Sequence, residues 1–149
     1  MNKRIATTFA ALLMLPVGFF SVVFAHMGDD NLIPNHSAEV INDQSSPDGW
    51  TYNHWGEISA AGEITSDASD GSIAMHVSVA DRTSGDAKWY FDPVAIEADT
   101  GYDFSNSYKA TTQSEVVVQY TLADGSLSYQ WLGSNPAVND WSPAYYSFT

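Results

Sequence analysis

The chain has 149 residues, no cysteine, and 5 Lys+Arg against 18 Asp+Glu, with 13% aromatic residues. The length suits one domain with a real core, and the absence of cysteine excludes a disulfide scaffold, a thiol nucleophile and any Cys-ligated metal site. The acidity excludes nucleic acid and anionic membrane as partners, because phosphate binding needs clustered Lys and Arg.

Residues 1–25 read as an export signal. Met1-Asn2-Lys3-Arg4 is a short basic start, an apolar run follows over 5–25, and Val23-Phe24-Ala25 offers small residues at −3 and −1. Pro16 and Gly18 break what would otherwise be a clean spanning helix. The other reading of these 21 residues is an uncleaved membrane anchor. Residues 26–30 form a short linker, and the folded part is 31–149. All 18 acids lie beyond position 25, together with only Arg82, Lys88 and Lys109 as bases, so the exported part carries a formal charge of −15. No later apolar stretch is long enough to span, so no membrane insertion is expected after cleavage. The destination is the cell exterior or surface, and export without cysteines fits a bacterial or archaeal protein.

Beyond residue 30 the pattern is short alternating runs bounded by Gly, Asp, Asn, Ser and Pro. Strands are expected at 33–41, 50–55, 56–65, 72–80, 87–96, 102–110, 115–122, 127–132 and 144–148. Turns fall at Asp48-Gly49, Asp70-Gly71, Gly85-Asp86, Thr100-Gly101, Asp124-Gly125 and 133–136. Asp-Gly suits the positive φ of tight hairpins, so 122–132 is the clearest hairpin. Eight or nine such strands in one domain imply an all-β, antiparallel β-sandwich or barrel. Within 115–122, Val116, Val118, Tyr120 and Leu122 share the apolar face. Within 102–109, Tyr102, Phe104 and Tyr108 do so. Phe91-Asp92-Pro93-Val94 has the composition of a bulge that resets the phase of its strand.

Catalytic patterns are missing. His26, His36, His54 and His76 form no metal-ligand pair, there is no Gly-x-Ser-x-Gly elbow, and no phosphate loop. Asp67-Ala68-Ser69-Asp70-Gly71 resembles a calcium loop superficially, but turn chemistry explains it better. A carboxylate pair for glycoside hydrolysis needs a deep cleft that a short sandwich hardly offers. The expectation is therefore a protein that is not an enzyme.

The aromatic residues are more informative. Five Trp and eight Tyr are too many for one small core, so some face solvent or a groove. A sugar ring stacks its C–H faces on aromatic rings while Lys, Asn or Gln bond its hydroxyls, and a neutral sugar is indifferent to protein acidity.

The order of short motifs resembles jelly-roll carbohydrate-binding modules of the groups numbered four and nine, on a galactose-binding-like sandwich. Those motifs are Asn31-Leu32-Ile33-Pro34-Asn35, Ser37-Ala38-Glu39, Pro47-Asp48-Gly49-Trp50, Trp55-Gly56, Lys88-Trp89-Tyr90-Phe91, Gly101-Tyr102-Asp103-Phe104-Ser105, and Trp141 ahead of Ser147-Phe148-Thr149. The likeness is greatest to modules that precede polysaccharide deacetylase or glycoside hydrolase domains in secreted bacterial proteins.

The resemblance implies a monomeric, noncatalytic module that binds a polysaccharide or oligosaccharide on a concave face. It also implies a structural Trp50 and a structural calcium ligated by Glu39 and by an Asp from a final strand. Modules of this kind continue past Phe-Thr, so the expectation is a sandwich lacking its final strand or strands, a C-terminally incomplete fragment without that partner Asp. Candidate stacking residues are Trp55, Trp89, Tyr90, Tyr129 and Trp131, and candidate hydroxyl partners are Lys88, Lys109 and Gln119. The reading from a different class is a structural or adhesive β-sandwich domain of a cell-surface protein.

Overall fold

The computed structural model describes residues 3–6, 11–14 and 31–149. Among them there are ten strands and no helix: β1 (Lys3–Ala6), β2 (Ala11–Met14), β3 (Trp50–Trp55), β4 (Ile58–Thr65), β5 (Ala74–Arg82), β6 (Asp86–Ala95), β7 (Tyr102–Ala110), β8 (Ser114–Thr121), β9 (Leu127–Asn135) and β10 (Val138–Phe148). The eight strands from β3 onward pair antiparallel, as β3 with β6, β4 with β5, β7 with β10, and β8 with β9. The export-signal reading of 1–25 and the linker at 26–30 lie mostly outside the described residues. The pieces that are described, β1 and β2, are short strands that pair parallel with β7 and with β6 and β8.

Three sheets result, ordered β3-β6-β2-β8-β9, β1-β7-β10 and β4-β5. One apolar cluster joins them. Trp50, Trp89, Phe91, Val116 and Val118 from the five-stranded sheet meet Tyr102, Phe104 and Phe148 from β7 and β10, while Met75 and Val77 of β5 pack against the same cluster. Two layers facing one core make the architecture sandwich-like. Alternation explains which residues point inward. On β6, Trp89 and Phe91 are buried between more exposed Lys88, Tyr90 and Asp92. On β7, Tyr102, Phe104, Asn106 and Tyr108 are buried. Edge-to-face packing of Trp50 on Phe91, centroids 5.3 Å apart, ties β3 to β6 where the two residues stand opposite in the ladder.

The expected strand over 33–41 does not form. That stretch is a folded loop, pinned at Ile33, Ala38 and Pro47, all buried. Asn35 organises it: its Nδ2 donates to the carbonyls of Val40 and Asp48 at 3.0 and 2.9 Å, and its backbone carbonyl accepts from Trp50 Nε1 at 2.9 Å. An Asn side chain that satisfies the backbone locally competes with a sheet ladder and wins here. The expected turn at 133–136 also shifts, since β9 runs through Asn135 and β10 already begins at Val138. The bulge at 91–94 is present as a register step, with Ala11 opposite Phe91 but Leu13 opposite Val94. The Asp124-Gly125 turn forms with Gly125 at φ 82, and Asp124 Oδ1 accepts from the Ser126 amide and hydroxyl.

Glu39 closes the long loop onto the segment before β5. Its Oε1 accepts the backbone N–H groups of Ser72 and Ile73 at 2.9 and 3.0 Å. These two bonds hold its carboxyl below the usual carboxylate range. The stabilisation is therefore complete above the ordinary Glu value and is lost as pH falls through the lowered one. We expect the thermal midpoint to drop as pH falls from about 5 to about 3, and Glu39→Gln to flatten part of that slope, as measured by circular dichroism melting across the pH series.

Candidate functional site

The site begins with the outward face of the five-stranded sheet. Because Trp89 and Phe91 of β6 point into the core, Lys88 and Tyr90 point out. Across the ladder, Trp55 stands opposite Asp86, Asn53 opposite Lys88, and Thr51 opposite Tyr90. On the other side, Val117 of β8 stands opposite Trp131 of β9, and Gln119 opposite Tyr129. Trp55, Tyr129 and Trp131 are 60%, 61% and 60% exposed, so each side chain is largely open to solvent. They stand on the two edge strands, about 19 Å apart across four strand spacings.

Trp55 is held there by an interlocked pair of glycines. Gly56 and Gly85 have φ of 89° and 92°, and a Cβ on Gly85 would collide with the Trp55 carbonyl. Only glycine allows both the left-handed backbone and this approach.

A groove of about 1540 Å³ opens on this side and is walled by Trp55, Lys88, Lys109, Gln119 and Tyr129. Five of the eight expected contact residues therefore share one cavity. Tyr90 and Trp131 lie on the same sheet face without lining it. Trp89 does not belong: it is only 3% exposed, lies in the core cluster, and donates through Nε1 to the His76 carbonyl at 3.0 Å. Its neighbours Lys88 and Tyr90 have the opposite strand phase, which is why adjacency in sequence misled for this residue.

Lys109 reaches the groove from β7, not from the aromatic sheet. Its Nζ bonds the Asp67 carboxylate and lies 5.4 Å from the Trp141 ring centre, while Trp141 Nε1 donates to the other Asp67 oxygen at 3.1 Å. The Lys109 bond, then that from Trp141, holds the Asp67 carboxyl below its usual range. This clamp went unseen in the sequence, because its members lie 42 and 74 residues apart. Arg82 and His76 also line the groove. Hence all three bases beyond residue 25 face one cavity. They bring acids with them: Lys88 Nζ bonds Asp86 at 2.6 Å and His76 contacts Glu63 at 3.0 Å. The wall is locally close to charge-balanced on a strongly acidic protein.

Glu39 stands apart from this groove. Its Oε1 already accepts two backbone amides, and among the described residues no three His, Cys, Asp or Glu side chains gather. In this structure Glu39 is a loop clamp.

No family model, no curated protein and no solved structure matches this chain.

The two kinds of Trp are separable by stability. We expect Trp89→Ala to cost about 3–5 kcal/mol through the cavity it leaves, and Trp131→Ala to stay within about 0.5 kcal/mol. Urea denaturation midpoints of both variants check this. Gly85→Ala should destabilise and also shift the fluorescence of Trp55, which a Trp55→Phe background would identify.

Proposed function

We propose that this chain is a noncatalytic, secreted or cell-surface carbohydrate-binding module, built as a jelly roll of galactose-binding-like type. Its ligand is a neutral polysaccharide or oligosaccharide, and its role is to hold a glycan-active enzyme, such as a polysaccharide deacetylase or glycoside hydrolase, on its substrate. One observation carries the reading: Trp55, Tyr129 and Trp131 are left exposed on one sheet face, with Lys88 and Gln119 between them. Burying such a side chain is worth about 1.5–3 kcal/mol, so three exposed rings are a considerable sacrifice unless a ligand covers them.

The chemistry of the face suits a sugar. Ring faces receive the apolar C–H side of a pyranose. The Gln119 amide both donates and accepts, and Lys88 keeps further N–H donors beyond the one given to Asp86. The paired charges leave little net field to select a polyanion, which agrees with the acidity of the whole chain.

Calorimetry against soluble cellulose, xylan, chitin and peptidoglycan fragments tests the proposal. At least one should bind, and Trp131→Ala or Tyr129→Ala should weaken it about tenfold or more, equivalent to ~1.4 kcal/mol. Binding should be insensitive to added salt, as expected for a neutral ligand. Failure of every glycan to bind the folded protein would sink the reading.

A further inference from the structure

β9 closes the five-stranded sheet on the side away from β3. From Leu127 to Trp131 it keeps regular step with Thr121 to Val117 of β8, and the register shifts directly beyond Trp131. Alternation places Leu127, Tyr129 and Trp131 on one face of the strand, and they are 51%, 61% and 60% exposed. The sequence holds no Asp, Glu, Lys, Arg or His from Gly125 to Asn139, the longest such run beyond residue 25. The strands at the other sheet ends all carry ionisable groups: Lys3 and Arg4 on β1, His54 on β3, Glu63 on β4, Asp81 and Arg82 on β5, and Asp140 on β10.

We propose that Leu127–Trp131 is a self-association seam. Its occupant is the same segment of a second copy of this chain, paired antiparallel across a twofold axis at Tyr129. Soluble monomers guard an edge strand with charge, proline or an early bulge, and Leu127–Trp131 contains none of these. Charge selects the occupant. Each copy carries a formal charge of −13, so two copies repel over most of their surfaces. At β9 they can approach without setting acid against acid. The segment also complements itself. With Tyr129 opposite its own copy, Leu127 falls opposite Trp131 and Ser128 opposite Gln130. Apolar meets apolar and polar meets polar at every pair, and no like charges stand opposed. The Gln130 Oε1 accepts from the Tyr120 hydroxyl at 2.6 Å, and its amide N–H groups can donate to Ser128 of the second copy. Such an isologous contact closes at two copies.

The seam is shorter than a standard interface, so association belongs in the range of about 10 µM to about 1 mM. Salt should strengthen it, because screening weakens the repulsion between two acidic copies while the seam itself has no ion pair to lose. Sideways pairing joins the two five-stranded sheets into one and leaves the outward face of each open. The dimer replaces the monomer that the resemblance implies. It goes beyond the glycan reading and does not rest on it, since its support is the composition, exposure and position of β9.

The test uses the full chain without sugar, so its outcome and that of the glycan titrations are separate. In sedimentation equilibrium the average mass should rise with concentration from one chain toward two, and rise further between about 50 mM and about 500 mM NaCl. Tyr129→Glu, which sets two carboxylates together on the axis, should hold the mass at one chain. Because the chain has no cysteine, single-cysteine variants read the register. Tyr129→Cys should form a disulfide-linked dimer under mild oxidation, since opposed residues have Cα atoms about 4.5–5.5 Å apart. Leu127→Cys and Trp131→Cys should each fail alone, being about 13 Å from their own copies along the ladder, and should crosslink when mixed. A mass of one chain at every concentration and salt, masses beyond two chains, or equal crosslinking of all three single variants overturns the proposal. So does an absence of crosslinking both in Tyr129→Cys and in the Leu127→Cys and Trp131→Cys mixture, with their circular dichroism unchanged.

Discussion

The burial of Trp89 and Phe91 on the inner face of β6 is the constraint on which the remaining structure depends. These side chains meet Trp50 from β3, Val116 and Val118 from β8, and Tyr102 from β7 in one cluster, so they fix both the sheet and its facing layer. Because a strand alternates strictly, fixing Trp89 inward also fixes Lys88 and Tyr90 outward. A one-residue slip would exchange core and surface on this strand, and the loss of two fully buried aromatics forbids it. The aromatic face thus follows from the core and needs no separate specification. Trp55 is placed by its register with Asp86, and Tyr129 and Trp131 by theirs with Gln119 and Val117.

Loops are secured differently. With 18 acids and few bases, charge pairing cannot hold this surface together, and exposed ion pairs such as Lys88–Asp86 contribute at most about 1 kcal/mol. The loops rely instead on side chains that bond backbone groups. Asn35 anchors the segment before β3, Glu39 gathers the amides before β5, and Asp124 caps its hairpin turn. Asp67, bound by Lys109 and Trp141, joins three segments distant in the chain by side chains alone. It lies at the groove, where it orients the Trp141 ring and the Lys109 ammonium together. The acids are therefore mostly solvated surface, with a few assigned to local geometry.

Much of this protein was legible from residue order. Alternation located β3, β6, β7 and β8 within a residue or two, marked Val116, Val118, Tyr102 and Phe104 as buried, and placed the bulge after Phe91. Those features depend on periodicity and local φ preference, which a linear chain displays directly. The loop over 33–41 was not legible, because its alternation imitates a strand and only Trp50, fifteen residues on, shows that Asn35 is engaged elsewhere. The site was half legible. That some of five Trp and eight Tyr must be exposed follows from counting. Which ones are exposed does not, since Trp89 and Trp131 look alike in sequence and differ only in the face that their neighbours leave open. The sequence by itself determined an all-β, acidic, cysteine-free domain with a surplus of aromatic rings. Only the tertiary structure decided that Trp89 belongs to the core, that all three late bases converge on one groove, and that β6 and β8 stand a strand apart. Each of these depends on contacts between residues distant in the chain, and pairing at a distance leaves no local pattern to read.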